Sequence, residues 1–339
     1  MTTIQSHQIV AARKKGIVLG LVMILIVIAT VFTIQSLEVV SFDDIIQQTN
    51  MWLLLASLIP MTFTWWFMAL RWQSLLQTKP PSSELSALIC AGLLLNYAAP
   101  GPVGEFGTAW FAKQRYKIAF TDALAAVVIA RLVGLLSASA LGGVVWALNT
   151  LPIQEEHLVF INGLSIVTLL MGFGLLVVTL FPNLCMQMVE KTIPVKLHQI
   201  QLVQKFHLAL NRLTKSITMV TQLGGKAFVQ TVLWSVCAHL CVIASIIVIA
   251  LAIGAPFSMG GIFFTYAITT AGSVLLFLLP GSYVGWDALF FGLLVGSAAI
   301  PTKYAILIVA VVRIQQLFFM IVGGISLHWL LQGVTKSVN

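Results

Sequence analysis

Charge is what this chain of 339 residues has least of: Asp, Glu, Lys and Arg together make up 8% of it, against 59% hydrophobic residues. So little polar surface cannot cover a soluble globule of this length, which excludes a soluble fold. With a mean hydropathy of +1.02, the sequence reads as a polytopic membrane protein. Acids are scarcer than bases, ten against eighteen, and the net charge is +8. A nucleic-acid partner is not implied, because the bases form no single soluble patch. Cysteine is also sparse. Cys90, Cys185, Cys237 and Cys241 sit in apolar or cytoplasmic-looking sequence; Cys237 and Cys241 are one helical turn apart but lack nearby third and fourth ligands, so they read as small buried hydrophobes rather than a metal site. There is no Ser/His/Asp order, no Walker loop and no metal-spaced cluster, so neither enzyme chemistry nor a cofactor is expected.

What the chain does have is long apolar runs. Residues 16–34 follow Arg13, Lys14 and Lys15, and at about 1.5 Å per residue they are long enough to cross the roughly 30 Å hydrocarbon core. That run is too long for a signal segment and is read as a retained first span. Further spans are expected at 52–70, 123–146, 158–180, 227–254 and 304–331. Basic residues gather at alternate ends of these runs and acids such as Glu38, Asp43, Asp44, Glu155 and Glu156 at the others, which puts the N- and C-termini in the cytoplasm. The segment 181–226 holds Lys191, Lys196, Lys205, Arg212, Lys215 and Lys226 against Glu190. Within it apolar residues recur from Leu197 to Ile217 at helical spacing, giving an amphipathic basic helix suited either to the cytoplasmic leaflet or to packing on the bundle.

Two stretches break the apolar pattern: NYAAPGPVGEFG at 96–107 and LPGSYVGWD at 279–287. Unsatisfied backbone in lipid costs several kcal/mol per group, so Pro/Gly breaks are tolerated there only against protein or a watery cavity. The apolar halves flanking the first break are too short to cross and basic on both sides, which reads as a re-entrant hairpin. The second break is expected to form a hairpin entered from the other face. The two stretches are related by an offset of 182 residues, which takes Glu105 to Asp287, Arg131 to Arg313, Trp52 to Trp234 and Gly142 to Gly324. The carboxylate-to-arginine spacing is 26 residues in each. The expected fold is therefore an all-α polytopic membrane protein of about six spanning helices plus two re-entrant hairpins, arranged as an inverted-topology repeat with halves 16–146 and 158–331.

Arginine within a span is costly and marks a functional candidate that needs a partner. Arg131 and Arg313 are the leading candidates, with Glu105 and Asp287 as counter-ions, either within a half or exchanged between halves. Around them Pro100, Gly101, Gly104, Gly107, Gly281 and Gly285 would let main-chain N–H groups face an anion, and Asn96 and Tyr97 would add hydrogen bonds at the first break. A guanidinium fork with helix N-termini suits phosphate. His239, on an apolar helix, reads as a hydrogen-bonded core residue, and Trp65, Trp66 and Trp72 as packing or an interfacial belt.

The stretches GLLLNYAAPGPVGEFGTAWFAK, VVIARLVGLL, LPGSYVGWDALFFGLLVGSA and AVVRIQQLFFMIVGG resemble the lysylphosphatidylglycerol synthase transmembrane-region family. Asn96, Pro100, Gly104 and Glu105 match its first pattern. Ala130-Arg131 stands where a Glu-Arg pair is common, and Val284, Gly285, Trp286 and Asp287 only approximate the later element. The resemblance implies movement of lipids between leaflets of a bacterial inner membrane, with a phospholipid or polyprenyl phosphate as substrate. It does not imply lipid synthesis, since no aminoacyl-transferase domain is attached. The residues leave two other readings open: a secondary carrier for a small anion, and a non-catalytic partner of a lipid-modifying enzyme. A homo-oligomer is compatible with each.

Overall fold

The computed structural model describes residues 43–98, 103–148, 151–152, 155–192, 211, 214–215, 218, 224–276 and 282–336. The chain divides into two units, Met1–Thr49 and Asn50–Asn339. The described part of the first is one short helix, α1 (Asp43–Gln48). The second is built from α2 (Met51–Ala56), α3 (Leu58–Ser74), α4 (Ser82–Ala98), α5 (Val103–Tyr116), α6 (Phe120–Ala147), α7 (Glu155–Leu180), α8 (Pro182–Thr192), α9 (Gly225–Ala252), α10 (Met259–Leu276), α11 (Ser282–Gly296) and α12 (Thr302–Lys336). No strand occurs among the described residues. The fold is all-α and polytopic, as the composition requires.

Four helical stretches are long and apolar enough to cross a membrane: Met51–Ser74, Phe120–Ala147, Gly225–Ala252 and Thr302–His328. They coincide with four of the six expected spans. The expected span at 158–180 falls in α7, a helix of 26 residues whose apolar part is Leu158–Gly174. The span at 16–34 lies outside the described residues, as does most of the amphipathic pattern at 197–217, although the same segment begins with helix α8.

Helices α4 and α5 form an antiparallel hairpin, and its side chains bond in order from foot to tip. At the foot Glu84 Oε2 accepts from Arg115 Nε at 3.2 Å and from Tyr116 OH at 2.7 Å. Midway Thr108 Oγ1 donates to Leu88 O at 3.5 Å, and near the tip Gly104 N donates to Asn96 Oδ1 at 2.5 Å. Helices of 17 and 14 residues rise only about 25 and 21 Å, less than the hydrocarbon thickness. The helices are nonetheless longer than the apolar run alone implies, because Ser82, Glu84 and Asn96 extend α4 at both ends. Helices α10 and α11 make a second hairpin by the same logic. Ser258 N donates to Ala298 O at 2.9 Å, and Thr265 Oγ1 donates to Leu293 O at 3.0 Å.

The connections set where each hairpin starts. Helix α3 ends at Ser74 just before α4, and α6 starts at Phe120 just after α5, so the first hairpin has its feet at the Ser74 end of α3. The opposite end of that span is tied to α9, because Asn50 N donates to Ala252 O at 2.8 Å. The second hairpin begins at Met259, directly beyond Ala252. The two hairpins therefore start at opposite ends of α3. Element starts also follow the offset of 182: Phe120 maps onto Thr302, the first residue of α12, and Val103 onto Gly285 in the first turn of α11.

Lipid supplies no hydrophobic drive between helices, so close packing has to come from small residues and buried polar contacts. Helix α6 presents Ala123, Ala126 and Ala130 at helical spacing to a cluster containing Ala69, Trp72, Leu85, Leu88, Ala109 and Ala112. Ser57, Ser245 and Gln315 interlock three helices: Gln315 Nε2 donates to Ser57 Oγ at 2.6 Å, and Ser245 Oγ donates to Ser57 O at 2.9 Å. Gly323 on α12 lies against α4 so closely that a Cβ there would reach Ala91 N at 2.7 Å. Gly323→Val is expected to lower stability by about 1–3 kcal/mol through overpacking. Gly174→Ala, at an exposed position with nothing within 4 Å, should change it by less than about 0.5 kcal/mol. Thermal unfolding of the purified variants in detergent checks both.

Candidate functional site

A cavity of about 350 Å³ lies inside the helical bundle, walled by residues of α3, α4, α5, α6, α9, α10, α11 and α12. Each hairpin brings a carboxylate to it. Glu105, in the first turn of α5, forms an ion pair through Oε1 with Arg131 NH1 on α6. Asp287, on α11, accepts from Arg313 Nε on α12 at 2.6 Å. Arg313 also donates to Gln316 Oε1 at 2.5 Å, and its guanidinium stands 4.8 Å from the centre of the Trp286 ring, a cation–π contact. The repeated spacing of 26 residues is thus a direct contact in both places. Both pairs are formed within a half, which settles the choice between pairing within a half and exchange across halves.

The glycines work differently from the expectation. Gly104, Gly107 and Gly285 are helical residues rather than loop residues, as are Glu105 and Asp287. The N–H of Gly104 is occupied by Asn96 Oδ1, so it does not face an anion. Gly104 instead allows close approach, because a Cβ there would strike the backbone of Gly92 and the Asn96 side chain. Asn96 bonds within the hairpin across the break rather than standing at a cavity entrance. Its side chain caps orphan backbone at the start of α5 in the manner of an N-cap. Pro100, Gly101 and Gly281 lie outside the described residues, and the side chain of Tyr97 is not described.

Three cavity residues escaped the sequence reading. Arg71, expected at the cytoplasmic flank of its span, is only 7% exposed and lines the cavity beside Arg131 and Gly134. A Cβ at Gly134 would meet the Arg71 guanidinium at 3.3 Å from Cζ, so only glycine leaves room for it. The signal was present: Leu75 and Leu76 continue the apolar run beyond Arg71, so the arginine lies inside the helix and not at its end. Trp65 and Trp72 are buried against the cavity rather than set in a belt, whereas Trp66 does face outward. Tyr266 was missed altogether.

His239 is a hydrogen-bonded core residue, as read from the sequence, but it also lines the cavity. Its Nε2 is 2.8 Å from Gly134 O, a pure acceptor, so Nε2 carries the proton. In the neutral ring Nδ1 then accepts from the Tyr266 hydroxyl at 3.0 Å. Both ring nitrogens are committed to the protein, which fixes the ring and leaves it no acceptor for Arg71.

These helices and this cavity define an integral membrane protein with a charged interior. The chain belongs to the lysylphosphatidylglycerol synthase TM region family, whose model matches residues 17–324. That membership gives it a membrane, lipid-related role. No curated protein and no solved structure matches the chain.

Because the Glu105 side chain is 11% exposed and that of Arg131 35%, the pair is only partly screened. Glu105→Gln or Arg131→Met alone should cost about 1–3 kcal/mol, less than a fully buried pair, by stranding the other charge. The double variant should be more stable than the sum of the two losses predicts by about 1 kcal/mol or more. A thermal-unfolding double-mutant cycle measures that coupling, and additive losses would show that the two groups do not act as a pair.

Proposed function

We propose that the protein moves a polar, phosphate-bearing lipid between the leaflets of the bacterial inner membrane, without chemical turnover. The observation that carries this reading is that two hairpins starting at opposite ends of α3 bring Arg131 and Arg313, each with its own carboxylate, to the wall of one internal cavity. Hairpins of that kind, repeated at a fixed offset, are how duplicated transporters place a site near mid-membrane reachable from either side. We read the two halves as an inverted repeat on the same grounds.

A headgroup crossing hydrocarbon loses its water, and the cost falls only if fixed donors replace it. Guanidinium groups do this for phosphate oxygens with a planar fork, while Glu105 and Asp287 hold each fork in place and balance its charge between occupants. The acyl tails need no site, since they remain in lipid. The basic ends and the segment 181–226 face the cytoplasm in this arrangement, with both termini on that side. The same basic surface is suited to receiving a lipid-modifying enzyme or a second copy of the chain.

Liposomes carrying the purified protein should transfer labelled phospholipid or polyprenyl phosphate to the opposite leaflet faster than empty liposomes. Arg131→Lys with Arg313→Lys keeps the charges but loses the forks, and should slow transfer by about tenfold or more. Absence of any acceleration by the wild-type protein across both lipid classes would contradict the proposal.

A further inference from the structure

Buried polar atoms in folded proteins nearly always have hydrogen-bond partners, and those that do not need a reason. Among the described residues six buried side-chain atoms lack one: Trp65 Nε1, Arg71 Nε, Trp72 Nε1, Glu105 Oε2, Ser139 Oγ and Thr269 Oγ1. The first four belong to residues that line the cavity. They are not alike. Trp65 and Trp72 can only donate, Arg71 can only donate, and the ionised Glu105 can only accept. The first three sit on one helix at positions 65, 71 and 72, with relative exposures of 9%, 7% and 2%. An unpaired donor is costly in so dry a place, and three of them around one space point to a missing acceptor with several lone pairs.

Charge narrows the choice. The arginines are Arg71, Arg131 and Arg313, and the acids are Glu105 and Asp287. Arg131 and Arg313 already have carboxylates, whereas no acid among the described residues pairs with Arg71. With His239 neutral, the set carries one excess positive charge. A phosphodiester carries one negative charge. A phosphomonoester dianion would overshoot, and a headgroup bearing an ammonium would leave the excess uncancelled.

We propose that the cavity selects a phosphodiester of single negative charge whose headgroup carries hydroxyls and no ammonium. Arg71, Trp65 and Trp72 donate to its phosphate oxygens, and Glu105 Oε2 accepts from a headgroup hydroxyl. Arg71 is then the residue that holds the ligand, while Arg131 and Arg313 shape the wall. The inference rests on the translocator reading only for the source of the phosphodiester, a lipid rather than a soluble molecule.

The test uses the full chain in detergent and reads the ligand-induced rise in melting temperature. The probes are phosphatidylglycerol, phosphatidylcholine and glycerophosphoglycerol, the last being the same headgroup without tails. Wild-type protein should bind phosphatidylglycerol at least about tenfold more tightly than phosphatidylcholine. Arg71→Met should abolish that binding while melting, without ligand, no lower than the wild type, because it removes an unpaired buried charge. A merely structural arginine would give the opposite melting result. Trp72→Phe, which keeps the ring and loses one donor, should weaken binding about threefold or more. If Arg71→Met does not yield folded protein, Arg71→Lys and Trp72→Phe decide by the same reading. Equal binding of the two lipids by the wild type, or unchanged binding in the Arg71 and Trp72 variants, overturns the proposal. Binding of glycerophosphoglycerol that depends on Arg71, without binding of the lipid, keeps the site and removes the lipid. Binding of neither overturns the site, and leaves the liposome measurement to judge translocation separately.

Discussion

Three guanidinium groups lie inside a bundle that has almost no other charge, and the rest of the structure is arranged around that constraint. Each arginine brought to membrane depth has to be held, hydrated or paired, at a cost of about 2.5–3.5 kcal/mol on insertion scales if it is not. Arg131 and Arg313 meet it with carboxylates delivered on the second helices of two hairpins, Glu105 and Asp287. Arg71 meets it with space, provided by the missing side chain of Gly134. The hairpins exist because a carboxylate has to reach mid-depth on a helix too short to cross. Their tips are joined by Pro/Gly sequence where the backbone reverses, and Asn96 bridges the first reversal.

Packing follows from the same need. A hairpin carrying a charge into the bundle is held without hydrophobic drive from water, so its neighbours make room for close backbone contact. Gly92 and Gly104 meet within the first hairpin, Gly261 meets the backbone of Ala298 within the second, and Gly323 brings α12 onto α4. Polar side chains then fix the order of the helices. Ser57, Ser245 and Gln315 bind α3, α9 and α12 at one level, and His239 with Tyr266 and Gly134 binds α9, α10 and α6 at another.

Much of this was legible in the sequence, for a physical reason. Charges are so rare that their spacing carries information, and the acid-to-arginine interval shared by Glu105–Arg131 and Asp287–Arg313 became a contact in both halves. Span positions followed from run length. What stayed hidden needed three dimensions. Arg71 stands next to Trp72 at the end of an apolar stretch, the usual place of an interfacial anchor, and only the packing of α3 against α6 turns it inward. Gly104 reads as a loop glycine by composition, whereas its role is to seat a helix against Gly92 and Asn96. Indole N–H groups at Trp65 and Trp72 cannot be known to lack partners until their neighbours are placed.

The account depends on the two hairpins entering from opposite faces of the membrane. Single cysteines at Ser83, at the foot of the first hairpin, and at Lys303, beyond the foot of the second, are both exposed positions suited to labelling in a background without the four native cysteines. A membrane-impermeant thiol reagent applied to intact and to inverted vesicles reads their sides directly. Labelling of the Ser83→Cys site from the cytoplasmic face and of the Lys303→Cys site from the opposite face is the predicted result. Labelling of both from one face would contradict the arrangement and the shared cavity built on it.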